Sequence, residues 1–370
     1  MNSFGKIVAF KASRPSDAHE SPTLSMDRAR YNKSKNIESN FLVDTNILID
    51  MDSACEDQYP ADEATLIKFG LLEFVSFLKA CHDEEIPYGI TAYFGISEMP
   101  SHLAQKRAKS LNTFSQKFGL VWMDDDSSMP EQLGRSLPSQ FDVLTQDQQD
   151  FLAISFASLL LILIVERDGE EFSPIGRLKR YVREHRRHIG VISVRELAIA
   201  RYVFARQQDC SGELDKLRSK VEMNFAKRDK KRPKNIGEMQ AIALNGASDL
   251  AMLNAMNIAD VKGLDGRKLD CWLFTKDEKL GMYNSICFNT GQGSDQVGMF
   301  TVFHEHPGES LYWQESVEVL RTYAAEGQRR VFESIARQLQ GQDTDEEIRQ
   351  KIATFSDKAR AIIRLAEAGL

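Results

Sequence analysis

Four acidic residues far apart in the chain share one local setting, an apolar segment with small polar neighbours: Asp44, Glu98, Asp249 and Asp277. "FLVDTNILID" (41–50) is an apolar run broken by Asp44, Thr45 and Asn46, "IPYGITAYFGISEM" (86–99) runs into Glu98, and "KLDCWLFTKDEKL" (268–280) carries Thr275 and Asp277. In open parallel sheets ligands collect beyond the carboxyl ends of the strands, so Asp44, Glu98 and Asp277 are expected at one sheet edge. In "GASDLAMLNAMN" (246–257) Ser248 or Asp249 is placed to cap a helix with the stripe Leu250, Leu253 and Met256, and capping by itself accounts for an Asp there. Carboxylates gathered in one pocket repel each other, and a hard divalent cation, Mg²⁺ or Mn²⁺, removes the conflict. Such an ion activates water and neutralises charge on a phosphodiester, so the expected chemistry is metal-assisted hydrolysis of a phosphate ester.

The elements that must deliver these residues follow from periodicity. Residues 40–46 read as a buried strand, 63–84 as one amphipathic helix with Leu66, Phe69, Leu72, Phe74, Val75, Phe77 and Leu78 on its apolar face. A second strand is expected in 86–99, a helix over 101–116 and a third strand in "KFGLVWMDDD" (117–126). This alternation predicts an α/β fold with a parallel sheet. Helices dominate from about 140 to 225 and again from Ser310, and no internal repeat is seen. Residues 1–38, polar and mixed in charge, are expected to form a flexible arm.

At 370 residues the chain has room for a large core, and 42% hydrophobic with 27% charged residues is the composition of a soluble globular protein. "FLAISFASLLLILIV" (151–165) falls short of the roughly 20 residues that cross a bilayer and is read as a buried helix, so no membrane partner is expected. Five scattered cysteines without a CxxC pair fit reduced thiols and a cytoplasmic location. With a net charge of −7, contact with nucleic acid has to come from local basic patches or metal ions.

The motifs resemble those of PIN-domain nucleases: "FLVDTNILID" is similar to their first motif, "ITAYFGISEM" to the second, "SDLAMLNAM" to the third and "CWLFTKDEKL" to the fourth. The first and fourth are the specific matches. The resemblance implies a three-layer α/β/α fold, Asp44, Glu98, Asp249 and Asp277 as catalytic residues holding Mg²⁺ or Mn²⁺, and Asn46 and Thr275 as supporting residues that orient ligands or water. It implies RNA cleavage, RNA being favoured over DNA, and many small members are toxins held by a partner antitoxin. The separation of 151 positions from Glu98 to Asp249 exceeds what a minimal member holds. The expected division is therefore an arm (1–38), a first PIN-like part (39–128), a helical insertion (129–241), a second PIN-like part (242–300) and a helical extension (301–370). The helical parts are expected to select substrate, block the site or assemble a homo-oligomer.

Two basic segments lie in the insertion. "GRLKRYVREHRRH" carries Arg177, Lys179, Arg180, Arg183, Arg186 and Arg187, and "AKRDKKRPK" carries Lys227, Arg228, Lys230, Lys231, Arg232 and Lys234. Beside an acidic pocket, a nuclease needs such cations to hold a strand, with Arg180 to Arg187 the first choice and Tyr181 a stacking partner. His304 and His306 lack the spacing of two ligands on one helix face and are read as a surface loop or a regulatory contact, and the Gly-rich "NTGQGSDQ" (289–296) as a plain loop. Two other functions compete: an RNA- or protein-binding scaffold that does not cut, and a haloacid-dehalogenase-type phosphatase. The latter needs an acid two residues after the first Asp, where this chain has Asn46.

Overall fold

The computed structural model describes residues 2–15, 22–97, 99, 101–120, 140–191, 193–227, 231–264, 266–291, 299–339 and 345–369. It is a mixed α/β protein, 66% helical, and its contacts divide it into two units. The α/β unit comprises Met1–Leu137 and Met252–Met299, and the helical unit Pro138–Ala251 and Phe300–Leu370.

The α/β unit begins with β1 (Asn2–Phe4), β2 (Ile7–Phe10), β3 (Ser13–Pro15) and α1 (Met26–Ser34). The expected flexible arm is thereby corrected: Ile7, Ala9 and Phe10 are buried, and β2 adds antiparallel to a strand more than 250 residues later. Next come β4 (Ile37–Val43), α2 (Thr45–Ala54), α3 (Glu63–Phe69) and α4 (Leu72–Asp83). The single helix expected over 63–84 is two. Gly70, at φ +67°, ends α3 with Leu71 N–H bonded to Leu66 O at 2.8 Å and Gly70 N–H to Ile67 O at 3.0 Å, a left-handed closure that favours glycine.

β5 (Tyr88–Thr91), α5 (Tyr93–Ser97) and α6 (Ser101–Phe118) follow. The third strand expected over 117–126 is corrected at its start, where α6 continues to Phe118, and residues 121–126 lie outside the described residues.

The helical unit holds α7 (Gln146–Asp168), α8 (Pro174–His188), α9 (Val194–Phe204) and α10 (Gly212–Phe225). α11 (Ile236–Lys262) runs from this unit into the α/β unit. β6 (Lys268–Thr275), α12 (Glu278–Ile286), β7 (Cys287–Gly291) and β8 (Met299–Phe303) precede the long α13 (Leu311–Leu339) and α14 (Asp345–Ala368). The loop expected over 289–296 is corrected at its start, because Asn289 to Gly291 close β7, pairing parallel with β3; residues 292–296 lie outside the described residues.

The main sheet has the order β1-β2-β6-β4-β5. Its β6-β4-β5 part is parallel, and the sheet is mixed because β1 and β2 add antiparallel on the β6 edge. As central strands, β4 and β6 bury Phe41, Leu42, Val43 and Trp272, Leu273, Phe274, the continuous apolar runs expected where both faces are covered. At the opposite end of β6, buried Asp270 accepts from Arg28 (2.7 and 2.8 Å), Asn32 (2.8 Å), Trp272 Nε1 (2.8 Å) and Lys11, whose ammonium also meets Asp260 at 2.5 Å. Those partners hold the Asp270 carboxyl well below the usual carboxylate range despite its burial.

In the helical unit α7 starts at a reciprocal cap between Thr145 and Gln148. It is long and apolar enough to cross a bilayer by composition, yet Phe156 to Val165 are buried within the unit, matching the buried helix read from the sequence. α14 packs along α7, so the expected insertion and C-terminal extension form one unit rather than two.

Candidate functional site

Parallel pairing places the first and fourth motifs side by side. Leu42 is opposite Leu273 and Val43 opposite Phe274, so the next residues, Asp44 and Thr275, emerge together at the carboxyl edge. The Thr275 hydroxyl donates to Asp44 Oδ2 at 2.6 Å and accepts from the Asp277 backbone N–H at 2.9 Å, so one oxygen links the Asp44 carboxylate to the main chain at Asp277. Asn46 Nδ2 donates to the same Oδ2 at 3.1 Å, and Thr45 N–H donates to Asp44 Oδ1 at 2.6 Å.

Each acid also begins a helix. Asp44 caps α2, and Asp277 caps α12 by accepting from Lys279 N–H at 2.8 Å and Leu280 N–H at 3.4 Å. Asp277 Oδ2 faces the Lys279 ammonium at 3.7 Å. Asp44 is buried, and burial pushes its carboxyl above the ordinary value. The Thr275, Asn46 and Thr45 donors pull the other way, and the Asp277 charge adds to the rise.

The second motif approaches the same edge. Thr45 Oγ1 donates to Gly95 O at 2.9 Å, and a Cβ on Gly95 would stand 2.8 Å from Thr45 N and Leu48 Cδ1 and 2.9 Å from Val43 O. Only glycine lets α5 seat this closely on the start of α2. Glu98 itself lies outside the described residues.

Asp249 does not open a helix as its motif implied. α11 runs unbroken from Ile236, so Asp249 sits in mid-helix rather than at an N-cap, in the helical unit, accepting from Asn224 Nδ2 at 3.3 Å. The upstream Gly246 does not break the helix but packs closely, since a Cβ there would lie 2.9 Å from both Leu159 and Phe225. Among the described residues no group of three or more His, Cys, Asp or Glu side chains forms a metal cluster. The groups brought together are thus two carboxylates, a hydroxyl and an amide, and their oxygens are the kind of ligand a hard cation prefers.

Sequence reasoning missed Lys276 and Asp50. The Lys276 ammonium reaches Asp50 of α2 at 2.5 Å and Phe69 O at 2.7 Å, tying the end of β6 to α2. The signal is a lysine between the two site residues Thr275 and Asp277.

The basic segments separate into structural and exposed cations. Arg177 and Arg232 each bond the buried Glu166 at 2.8 Å, and Arg177 also donates to Gly169 O, so both are corrected to structural counter-ions. Burial raises the Glu166 carboxyl, and these arginines oppose the rise. Tyr181 is corrected as a stacking partner because it is buried in the unit. Arg180 donates to Asp168 O at 3.3 Å and lies over the Phe172 ring, while Lys230 lies outside the described residues. Lys179, Arg183, Arg186, Arg187 and Lys231 are exposed.

The segment around His304 is a structural tie. Buried Arg201 donates to His304 O (2.7 Å), Glu305 O (2.6 Å), Trp313 O (3.1 Å) and Ser316 Oγ (2.7 Å), and His306 meets Tyr202. Comparison with protein families, curated proteins and solved structures finds no match to this chain.

Proposed function

We propose that the α/β unit is a Mg²⁺- or Mn²⁺-dependent nuclease of PIN type that hydrolyses RNA phosphodiester bonds. The observation that carries this reading is the juxtaposition of buried Asp44 with Asp277 through Thr275 at the carboxyl edge of two adjacent parallel strands. A buried acid beside a second acid is costly unless a cation is shared, and each carboxylate here retains unused lone pairs on at least one oxygen. Asp44 and Asp277 would hold the metal, with Glu98 as third ligand by resemblance. Bound there, the ion supplies charge neutralisation at the phosphate and a more acidic attacking water. Thr275 and Asn46 fix the orientation of Asp44, and the Lys279 ammonium stands beside Asp277 to meet a non-bridging phosphate oxygen. Water adds to phosphorus as the bond to the leaving ribose oxygen breaks. A toxin or defence role, with an inhibitory partner protein, is the cellular setting this chemistry fits.

The test is cleavage of end-labelled RNA in Mn²⁺. Wild type is expected to cut, with Asp44→Asn and Asp277→Asn each at least 100-fold slower; equal rates in all three would sink the assignment. A second reading, a non-cutting RNA- or protein-binding scaffold, is favoured by one observation: both acids serve as helix caps. Under that reading neither wild type nor variants cleave RNA.

A further inference from the structure

The exposed cations on α8 surround a second feature of the helical unit. Lys179, Arg183, Arg186 and Arg187, with Val182 and with Val319 of α13, line an open depression of about 540 Å³. Its acids are few: Glu184, itself buried, faces Arg183 at 2.9 Å and Arg187 at 4.0 Å, and Glu326 of α13 takes Arg186 together with Arg330 at 2.5 Å. The patch thus keeps a positive surplus in a chain of net charge −7. Arg183 and Arg187 hold their guanidinium groups largely in solvent, their side chains 70% and 74% exposed.

We propose that this depression is a docking site for the phosphate backbone of single-stranded nucleic acid. Lys179, Arg183 and Arg187 recur every four residues, about 6 Å of helix rise apart, so the row follows successive phosphates of one strand. Arginine forks grip phosphate oxygens bidentately, which a lysine-rich solvated face would not do. The apolar floor of Val182 and Val319 takes sugar and base faces that a duplex keeps sealed, and Phe172 with Arg180 stacked on it at 5.0 Å offers a platform toward the start of the helix. An acidic protein would use the charges and leave the floor without purpose. The choice of a nucleic acid rests in part on the nuclease reading.

The experiment is fluorescence anisotropy of a labelled oligouridine with the full chain in EDTA, where cleavage plays no part, so failure here and failure to cleave are separate results. Wild type is expected to bind with an affinity that falls as salt rises. R183A/R187A is expected to weaken binding at least tenfold and to reduce the slope of log affinity against log salt by about 1.4, roughly 0.7 for each phosphate no longer neutralised. K268A, at an exposed lysine on β6, is the control that leaves both unchanged. Circular dichroism confirms that the double variant is folded. No binding by wild type, equal affinity in R183A/R187A, or displacement by polyglutamate as effectively as by unlabelled oligouridine would each overturn the proposal.

Discussion

The Thr275 hydroxyl donates to Asp44 Oδ2 at 2.6 Å, and both residues are buried where two neighbouring parallel strands end. Replacing Thr275 with Val keeps the shape and removes the donor, leaving a buried carboxylate short of one bond. The expected loss is about 1–3 kcal/mol of unfolding free energy, read from urea midpoints, with Thr275→Ser recovering most of it. Equal midpoints for wild type and the Val variant would show that the bond does not matter.

Gly95 is the contact on which the second motif depends. A Cβ inserted 2.8 Å from Thr45 N and Leu48 Cδ1 forces α5 off α2, so Gly95→Ala is expected to cost about 1–3 kcal/mol. RNA cleavage should fall in the same variant, because Thr45, which donates to both Asp44 Oδ1 and Gly95 O, moves with α5. A Gly95→Ala protein with wild-type stability and rate would refute the role of this contact.

The N-terminal strands are held by charge as well as by pairing. Lys11→Met leaves Asp260 and Asp270 without their shared ammonium, and is expected to destabilise the protein by about 3–5 kcal/mol. Removing residues 1–15 should go further and expose the β6 edge. Thermal melts of the two variants check both statements; a truncated chain melting like wild type would restore the flexible arm.

Acid sensitivity between pH 6.5 and 4 should come from histidine. His185 lies buried between Ser158 Oγ (2.8 Å from Nε2) and Tyr323 OH (2.7 Å from Nδ1), and burial lowers its pKa from 6.5 to about 4. With that pKa the ring is neutral at pH 7. Between those two pKa values the unfolded chain binds the proton that the folded chain refuses, so stability rises with pH through the window and is lost on acidification, by up to about 3 kcal/mol. Half-buried His306, also lowered to about 4, adds to the same window. Urea titrations at pH 7 and 4.5 should show a smaller drop for His185→Gln than for wild type; an equal drop would place the sensitivity elsewhere.

How much was legible follows from which interactions are local. Asp44, Asn46, Thr275 and Asp277 could be read because each lies within three residues of the end of an apolar strand, and β4 and β6 turned out to be adjacent and parallel. Asp249 could not be placed. Gly246 reads locally as a breaker and acts as a close-packing contact against Leu159 and Phe225, which only the tertiary structure shows. The N-terminal strand is hidden in the sequence for a related reason: "IVAF" is too short to declare itself, and the partners of Val8, Ala9 and Phe10 are Thr275, Phe274 and Leu273, far along the chain. Likewise Arg177 and Arg232 read as free cations in the sequence, because their shared partner Glu166 lies outside both basic segments.

Mn²⁺ titration by calorimetry on wild type, Asp44→Asn and Asp277→Asn tests the central claim most directly. Asn caps a helix about as well as Asp, so these variants preserve α2 and α12 while removing the charge a metal needs. The expected result is a Mn²⁺ site in wild type that both variants lose while staying folded. Mn²⁺ binding of equal strength in all three proteins would contradict the account and leave Asp44 and Asp277 as helix caps.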